Sequence, residues 1–216
     1  TLLLASEADV AVVLLDVVME REDAGLALVK TIRQDLRLTE LRIILRTGQP
    51  GYAPEIETIH DFDINDYKTK SELTRTKLYA TVTAAVRAYE QIRKLDQLAF
   101  YDRLCSLPNR NKFIDLSDER LLSGQFPSDV IAILDIDDFS EINDALGHQQ
   151  GDRLLQAVAE RLKLELGSDV ILARLGGDTF GLMGNNGVLD PLTVLDMFRA
   201  PFKVQDDSMV VTATMG

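Results

Sequence analysis

Cysteine is nearly absent. Cys105 is the one thiol in 216 residues, which excludes an intramolecular disulfide framework and a cysteine-built zinc site and fits a reducing cytosol. Basic residues are also scarce: 23 Lys and Arg face 35 Asp and Glu, a formal net charge of −12, with a pI near 4.6. A nucleic-acid surface needs clustered Lys and Arg, so this balance argues against nucleic acid as a partner. It leaves room for a nucleotide held through a metal. No apolar run approaches the ~20 residues that span a bilayer, and no signal-peptide pattern opens the chain. A cytoplasmic chain without a membrane span is expected. Hydrophobic residues make up 46%, enough for one large domain or two smaller ones with separate cores. Residue 1 is Thr, already inside an apolar segment, and Gly216 follows a strand-like run. Both ends read as cut from a longer protein.

The first part alternates strands and helices. Residues 10–15 form a continuous apolar run, the mark of a strand buried on both faces of a parallel sheet. Residues 25–36 read as an amphipathic helix with Leu26, Val29 and Ile32 on one face. A second strand is expected at 42–45, followed by the loop-like Thr47-Gly48-Gln49-Pro50-Gly51, and a third near 64–67. This order predicts a doubly wound α/β domain with its site outside the carboxyl ends of the strands.

Residues 76 to about 98 contain no breaker. Leu78, Val82, Ala85, Tyr89 and Ile92 recur at steps of four and three, a stripe of helical period. Such a helix packs on its own sheet, or its charged second half projects as a linker that pairs with a second copy. Beyond it the pattern predicts a helix at 111–122, a strand at 130–136, helices at 139–146 and 151–166, strands at 170–175 and 180–183, a helix at 191–199 and a strand-like run at 209–215. Helices interleaved with a hairpin point to an α+β sheet with helices on one face, as in polymerase palms.

In the first part Asp16, Thr47 and Lys70 all fall at strand ends. An acid that accepts a phosphoryl group, a hydroxyl that follows it and an ammonium that neutralises it form a coherent switch. The spacing Asp16…Thr47…Tyr67…Lys70 resembles the receiver domain of two-component response regulators over roughly residues 8–92. Asp16-Val17-Val18-Met19 matches the phosphoacceptor strand end. Tyr67-Lys68-Thr69-Lys70 matches the aromatic-x-x-Lys segment, with Ser71 where Pro is usual. The resemblance implies Asp16 as phosphoacceptor for a histidine kinase, with Thr47, Tyr67 and Lys70 as the switch. The family's Mg²⁺ rests partly on an acidic pair on a first strand that would precede Thr1, so poor phosphorylation is expected.

In the second part Asp135 ends an apolar strand, and Gly176-Gly177-Asp178 turns sharply between two others. Two such carboxylates beside a glycine-rich hairpin suit Mg²⁺ over nucleotide phosphates. Four segments resemble the motifs of GGDEF domains, in order and at family spacing across 98–216. They are Asp102-Arg103-Leu104-Cys105-Ser106-Leu107-Pro108-Asn109-Arg110, Asp135-Ile136-Asp137-Asp138-Phe139-Ser140-Glu141-Ile142-Asn143-Asp144, Gly147-His148-Gln149-Gln150-Gly151-Asp152, and Gly176-Gly177-Asp178-Thr179-Phe180.

The resemblance implies a cyclase-like domain that joins two GTP molecules into cyclic di-GMP across a homodimer. Asp135, Asp178 and the Ile136 carbonyl would hold metal. Asn143 and Asp152 would bond the guanine edge; alone, Asn143 reads as a solvated helix residue and Asp152 as a helix N-cap. The backbone of Asp137, Asp138, Phe139 and Ser140 would cradle phosphates where a helix opens, with Gly176 and Gly177 lining the nucleotide. His148 reads as loop, and Arg174 as an ion-pair or turn residue without chemistry.

Three departures stand out. Thr179 replaces the signature Glu, so the carboxylate that binds metal and activates the attacking hydroxyl is gone. Ser140 replaces a Lys. Gly167 and Val170 occupy the positions of the inhibitory Arg-x-x-Asp. The resulting expectation has residues 1–75 as an N-terminally truncated receiver-like domain. A last helix at about 76–97 continues as linker to a C-terminally truncated, palm-like GGDEF domain at 98–216. The whole would be a response regulator whose output binds GTP and Mg²⁺ or dimerises ahead of an EAL phosphodiesterase, with a weak cyclase or an empty interaction module as alternatives.

Overall fold

The computed structural model describes residues 9–19, 24–48, 59–60, 62–124, 126–205 and 207–216. The chain divides into two compact units, Thr1–Leu95 and Asp96–Gly216.

In the first unit, β1 (Val12–Asp16), β2 (Arg42–Thr47) and β3 (Asp66–Thr69) form a parallel sheet in the order β1-β2-β3. The strand order runs one way throughout. The reversal that defines a doubly wound sheet is therefore not among the described residues. Of the loop expected after Thr47, Gln49, Pro50 and Gly51 also lie outside them. Between β1 and β2, helix α1 (Ala24–Lys30) continues into a single π turn at Thr31–Asp35. Val29 and Ile32 of this segment pack on Leu15, Ile43 and Leu45, all buried. Ile44 points to the opposite face, as strand alternation requires. There a cleft of about 420 Å³ separates the sheet from Ala80, Thr81, Ala84, Ala85 and Ala88 of α2 (Arg75–Phe100). The last helix thus flanks its sheet without closing on it, because small side chains face the gap.

In the second unit, α3 (Arg110–Ser123) starts with Asn109, whose side chain accepts from Lys112 N, and ends at Gly124 in the left-handed region. Strand β4 (Asp129–Ile136), helices α4 (Phe139–Leu146) and α5 (His148–Leu166), and the hairpin β5 (Ile171–Gly176) and β6 (Thr179–Asn185) follow. Then come α6 (Pro191–Asp196), β7 (Phe202–Val204), β8 (Asp207–Met209) and β9 (Ala213–Met215). Strands β5-β6-β4-β9 form one antiparallel sheet, and β7-β8 a separate hairpin.

The core forms where α5 (Leu154, Leu155, Val158, Leu162) meets Leu134, Ile136, Phe180 and Leu182 of the sheet. The expectation of helices on one face fails. Phe113 of α3 packs with Ala173 and Met183 on the other face, where β5 and β6 are apolar on both sides. On that same face Ile131 and Ile133 of β4 remain exposed.

Three local expectations also change. The run at 209–215 is two strands, because β8 pairs with β7 while β9 pairs with β4. Helix α5 starts at His148 rather than Gly151, so Asp152 lies inside the helix and Gly147 caps it. The third parallel strand sits two residues later than its hydrophobic pattern suggested, with Ile64 buried ahead of it.

Candidate functional site

At the carboxyl end of β4 the register places Asp135 directly opposite Thr179 of β6. Thr179 Oγ1 donates to Asp135 Oδ1 at 2.6 Å. The turn between β5 and β6 carries Asp178, adjacent to Thr179, beside the β4 tip. Gly176 (φ 137°) and Gly177 (φ 56°) hold backbone angles that side chains resist, which is why this turn is built of glycine. A bulge between Arg174 and Gly176 re-aims it.

Arg174 anchors the same turn. Its Nε and Nη2 donate to the Gly177 carbonyl at 3.0 and 2.6 Å, and its Nη1 reaches both oxygens of Asp102 at 3.0 Å. Asp102 also accepts from the amides of Leu104 and Cys105 at 3.0 and 2.8 Å. The segment ahead of α3 and the glycine turn are therefore one hydrogen-bonded body. Arg174 reads from the sequence as an ion-pair or turn residue, and it is both; what the sequence hid is that its ion-pair partner, Asp102, lies 72 residues away. Burial pushes the nearby Cys105 thiol up to about 11.

Helix α4 opens at Asp138, itself left-handed (φ 56°), with no side-chain hydrogen bond capping the helix. Its first N–H groups point out of the helix end, as at any helix start. Asp137 is held away from that end: Thr212 and Thr214 donate to its two oxygens at 2.6 and 2.8 Å, and its amide bonds Thr212 O at 3.0 Å. Sequence reasoning missed these threonines because the break in the 209–215 run was not visible. Across α4 and α5, a Cβ at Gly151 would meet Asn143 Oδ1 at 2.0 Å and Phe139 Cζ at 3.1 Å. The glycine is the surface on which Asn143 lies, one residue from Asp152.

The oxygen donors Asp135 and Asp178 are of the type a hard cation takes. Among the described residues no group of three or more His, Cys, Asp or Glu gathers to hold a metal. This donor set fits a Mg²⁺ that arrives with nucleotide phosphates, the usual state of that ion, better than a resident one. Ile136 adds a strand carbonyl at the same tip, while its side chain is buried in the core.

A model of the diguanylate cyclase GGDEF domain matches residues 99–216. The chain belongs to the GGDEF family. The chain is similar to the 3'3'-cGAMP-specific phosphodiesterase 2 of Vibrio cholerae, 47% identical over 89 residues, covering 41% of this chain and 17% of that protein. It is also similar to the signaling protein YkoW of Bacillus subtilis, at 34% over 151 residues, 64% of this chain and 18% of the relative. The matched region thus spans under a fifth of these relatives. The coiled coil and GGDEF domain of DgcB from Caulobacter crescentus, solved in complex with c-di-GMP, shares the fold. Its TM-score is 0.57 at 24% identity, covering 66% of this chain and 80% of that one. A diguanylate cyclase/phosphodiesterase from Caldicellulosiruptor saccharolyticus gives 0.51 at 24%, over 56% and 76%. Domains of this family take GTP with Mg²⁺ in general, and they occur in proteins of cyclic di-GMP signalling.

In the first unit the described strands bring Asp16, Thr47 and Lys70 to one sheet edge. Lys70 Nζ pairs with Asp16 Oδ2 at 3.1 Å, and the Lys70 amide bonds Thr47 O at 2.7 Å. Thr47 is buried. Arg46, which sequence reasoning passed over, pairs through Nε with Asp16 Oδ1. Its signal was its place beside Thr47, at the strand end opposite Asp16. Burial would raise the Asp16 carboxyl, but the bonds and charges of Lys70 and Arg46 outweigh it and hold it below the ordinary value. Tyr67 packs its ring against the core, with its hydroxyl buried and unbonded. No helix among the described residues is long and apolar enough to cross a membrane.

Proposed function

We propose that the GGDEF domain is a GTP-binding regulatory module with little or no cyclase turnover. The observation that carries this is the Thr179 hydroxyl bonded to Asp135, at the position where a cyclase would place a second acid. The hydroxyl donates a hydrogen bond to the Asp135 carboxylate and supplies no negative charge for a metal or for the attacking 3′-hydroxyl. What binding needs is present. Asp135 and Asp178 serve Mg²⁺, the uncapped start of α4 at 138–140 serves phosphates, and Asn143 with Asp152 serves the guanine edge. Ser140 in place of a Lys leaves the phosphates to those amides and the metal.

The first unit acts in this reading as a receiver-like switch of a two-component response regulator, with a histidine kinase as donor, Asp16 as acceptor, and Thr47, Tyr67 and Lys70 as its relay. Helix α2 then supports a homodimer. Relatives named as phosphodiesterases, PdeR of Escherichia coli among them at 35% over 128 residues, support an EAL-type phosphodiesterase as the regulated partner in the longer protein.

Calorimetry and mass spectrometry test the proposal. Mg²⁺-dependent GTP binding that Asp135→Ala removes, with no cyclic di-GMP formed, is expected. Cyclic di-GMP made over many turnovers would show a weak cyclase instead. Absent binding at millimolar GTP, unchanged by Asp135→Ala, would show an interaction module.

A further inference from the structure

Asp137 and Asp138 stand side by side ahead of α4, and Asp is among the residues that cap a helix start best. Neither caps it here. Asp138 occupies the cap position in the left-handed region, φ 56°, with no cap hydrogen bond from its side chain, where a capping residue is ordinarily extended. Asp137 is turned to the other side. Thr212 Oγ1 donates to its Oδ2 at 2.6 Å and Thr214 Oγ1 to its Oδ1 at 2.8 Å.

Strand register makes this clamp. β9 runs antiparallel beside β4, with Thr214 opposite Asp135 and Ala213 opposite Ile136. The Asp137 amide bonds Thr212 O at 3.0 Å, which carries the ladder one step further. Residues two apart in an extended chain share a face, so both hydroxyls reach one carboxylate. An unheld Asp ahead of a helix accepts from amides two or three residues on, here those of Phe139 and Ser140. Its charge would then sit on the N–H groups that a nucleotide's phosphates need.

We propose that Thr212 and Thr214 are positioning residues that keep the phosphate-binding end of α4 open by holding the Asp137 carboxylate on β9; this rests on the GTP-binding reading of the second unit. The threonines act through Asp137. With both hydroxyls in place the carboxylate is satisfied at the strand, and the amides stay available to an incoming anion.

Calorimetry of the full chain with GTP and Mg²⁺ tests this, with circular dichroism for folding. Thr212→Val combined with Thr214→Val keeps the branched shape of the strand and removes both donors. This double variant should bind GTP about tenfold more weakly, the size of one helix cap. Adding Asp137→Ala deletes the carboxylate that would swing, and the triple variant should recover most of the loss. Thr212→Ser with Thr214→Ser keeps the donors and should bind as wild type does. In the unliganded protein the amide resonances of Phe139 and Ser140 should move in the double variant and return in the triple. A purely structural loss at β9 would not be mended by deleting Asp137. Should the double variant lose its fold, Thr212→Val alone, with and without Asp137→Ala, carries the same comparison. A double variant that binds as tightly as wild type overturns the inference and leaves the GTP reading standing. Weakened binding that Asp137→Ala does not restore does the same. Wild type that binds no GTP at millimolar concentration removes both.

Discussion

Thr179 and Asp135 face each other at a 2.6 Å hydrogen bond, and in the proposed reading this one position separates a binding site from a catalytic one. Thr179→Glu restores an acid there, and cyclic di-GMP formation measured by mass spectrometry should rise by at least about a hundredfold over wild type. Silence in a variant that still binds GTP would locate a second defect at Ser140. Gly151 offers a cleaner probe of the base site. In Gly151→Ala the new methyl would lie 2.0 Å from Asn143 Oδ1, so the carboxamide must turn away. GTP affinity should fall by about tenfold, the loss of one well-made hydrogen bond, with thermal stability of the second unit nearly unchanged. Asp16 gives a pH signature. Its carboxyl is held below its ordinary 3.8, so its stabilising contribution is complete above that value and is lost as pH falls through the folded one. Asp16→Asn should flatten the acid limb of the first unit's melting temperature; an unchanged limb would mean that the ion pairs do not act in solution.

Strand and helix ends are tied by buried ions that no local pattern announces. The side chain of Asp129 at the start of β4 is 3% exposed and pairs with Arg120 of α3, which also donates to Asp169 O at 2.7 Å and lies over the Phe126 ring. Arg120→Ala leaves that carboxylate buried without its cation. Urea unfolding of the second unit should lose about 3–5 kcal/mol; a loss below about 1 kcal/mol would mean that water reaches the site. The long helices were readable because breakers and caps stand at their ends: Asn109 and Gly124 bound α3, and Gly167 follows α5. The 209–215 run was not readable, since β-rich residues continue through it and only the partner strands divide it. Asp152 misled for a related reason. An acid after glycine looks like a cap, yet Gly147 already turns the chain four residues before Gly151.

The two units carry separate cores, so heating should give two transitions. Saturating GTP with Mg²⁺ should raise only the one that belongs to the second unit, by about 2.7 kcal/mol at about 100 times Kd. Cys105 reports on the same unit. Its thiol, pushed up to about 11, is protonated near neutrality and should alkylate slowly until that unit opens.

What the sequence alone determined was local: the GGDEF motifs with Thr179 in the signature turn, the strand-end position of Asp16, and the elements that deliver them. A hydrophobic period and a glycine pair are local properties, and they survive without knowledge of the rest of the chain. What only the tertiary structure decided was partnership: Arg46 on Asp16, Thr179 on Asp135, Arg174 on Asp102, the threonines on Asp137. Those contacts depend on sheet register and on loops closing over tens of residues, and register is fixed by the packing of both sheet faces rather than by any one segment.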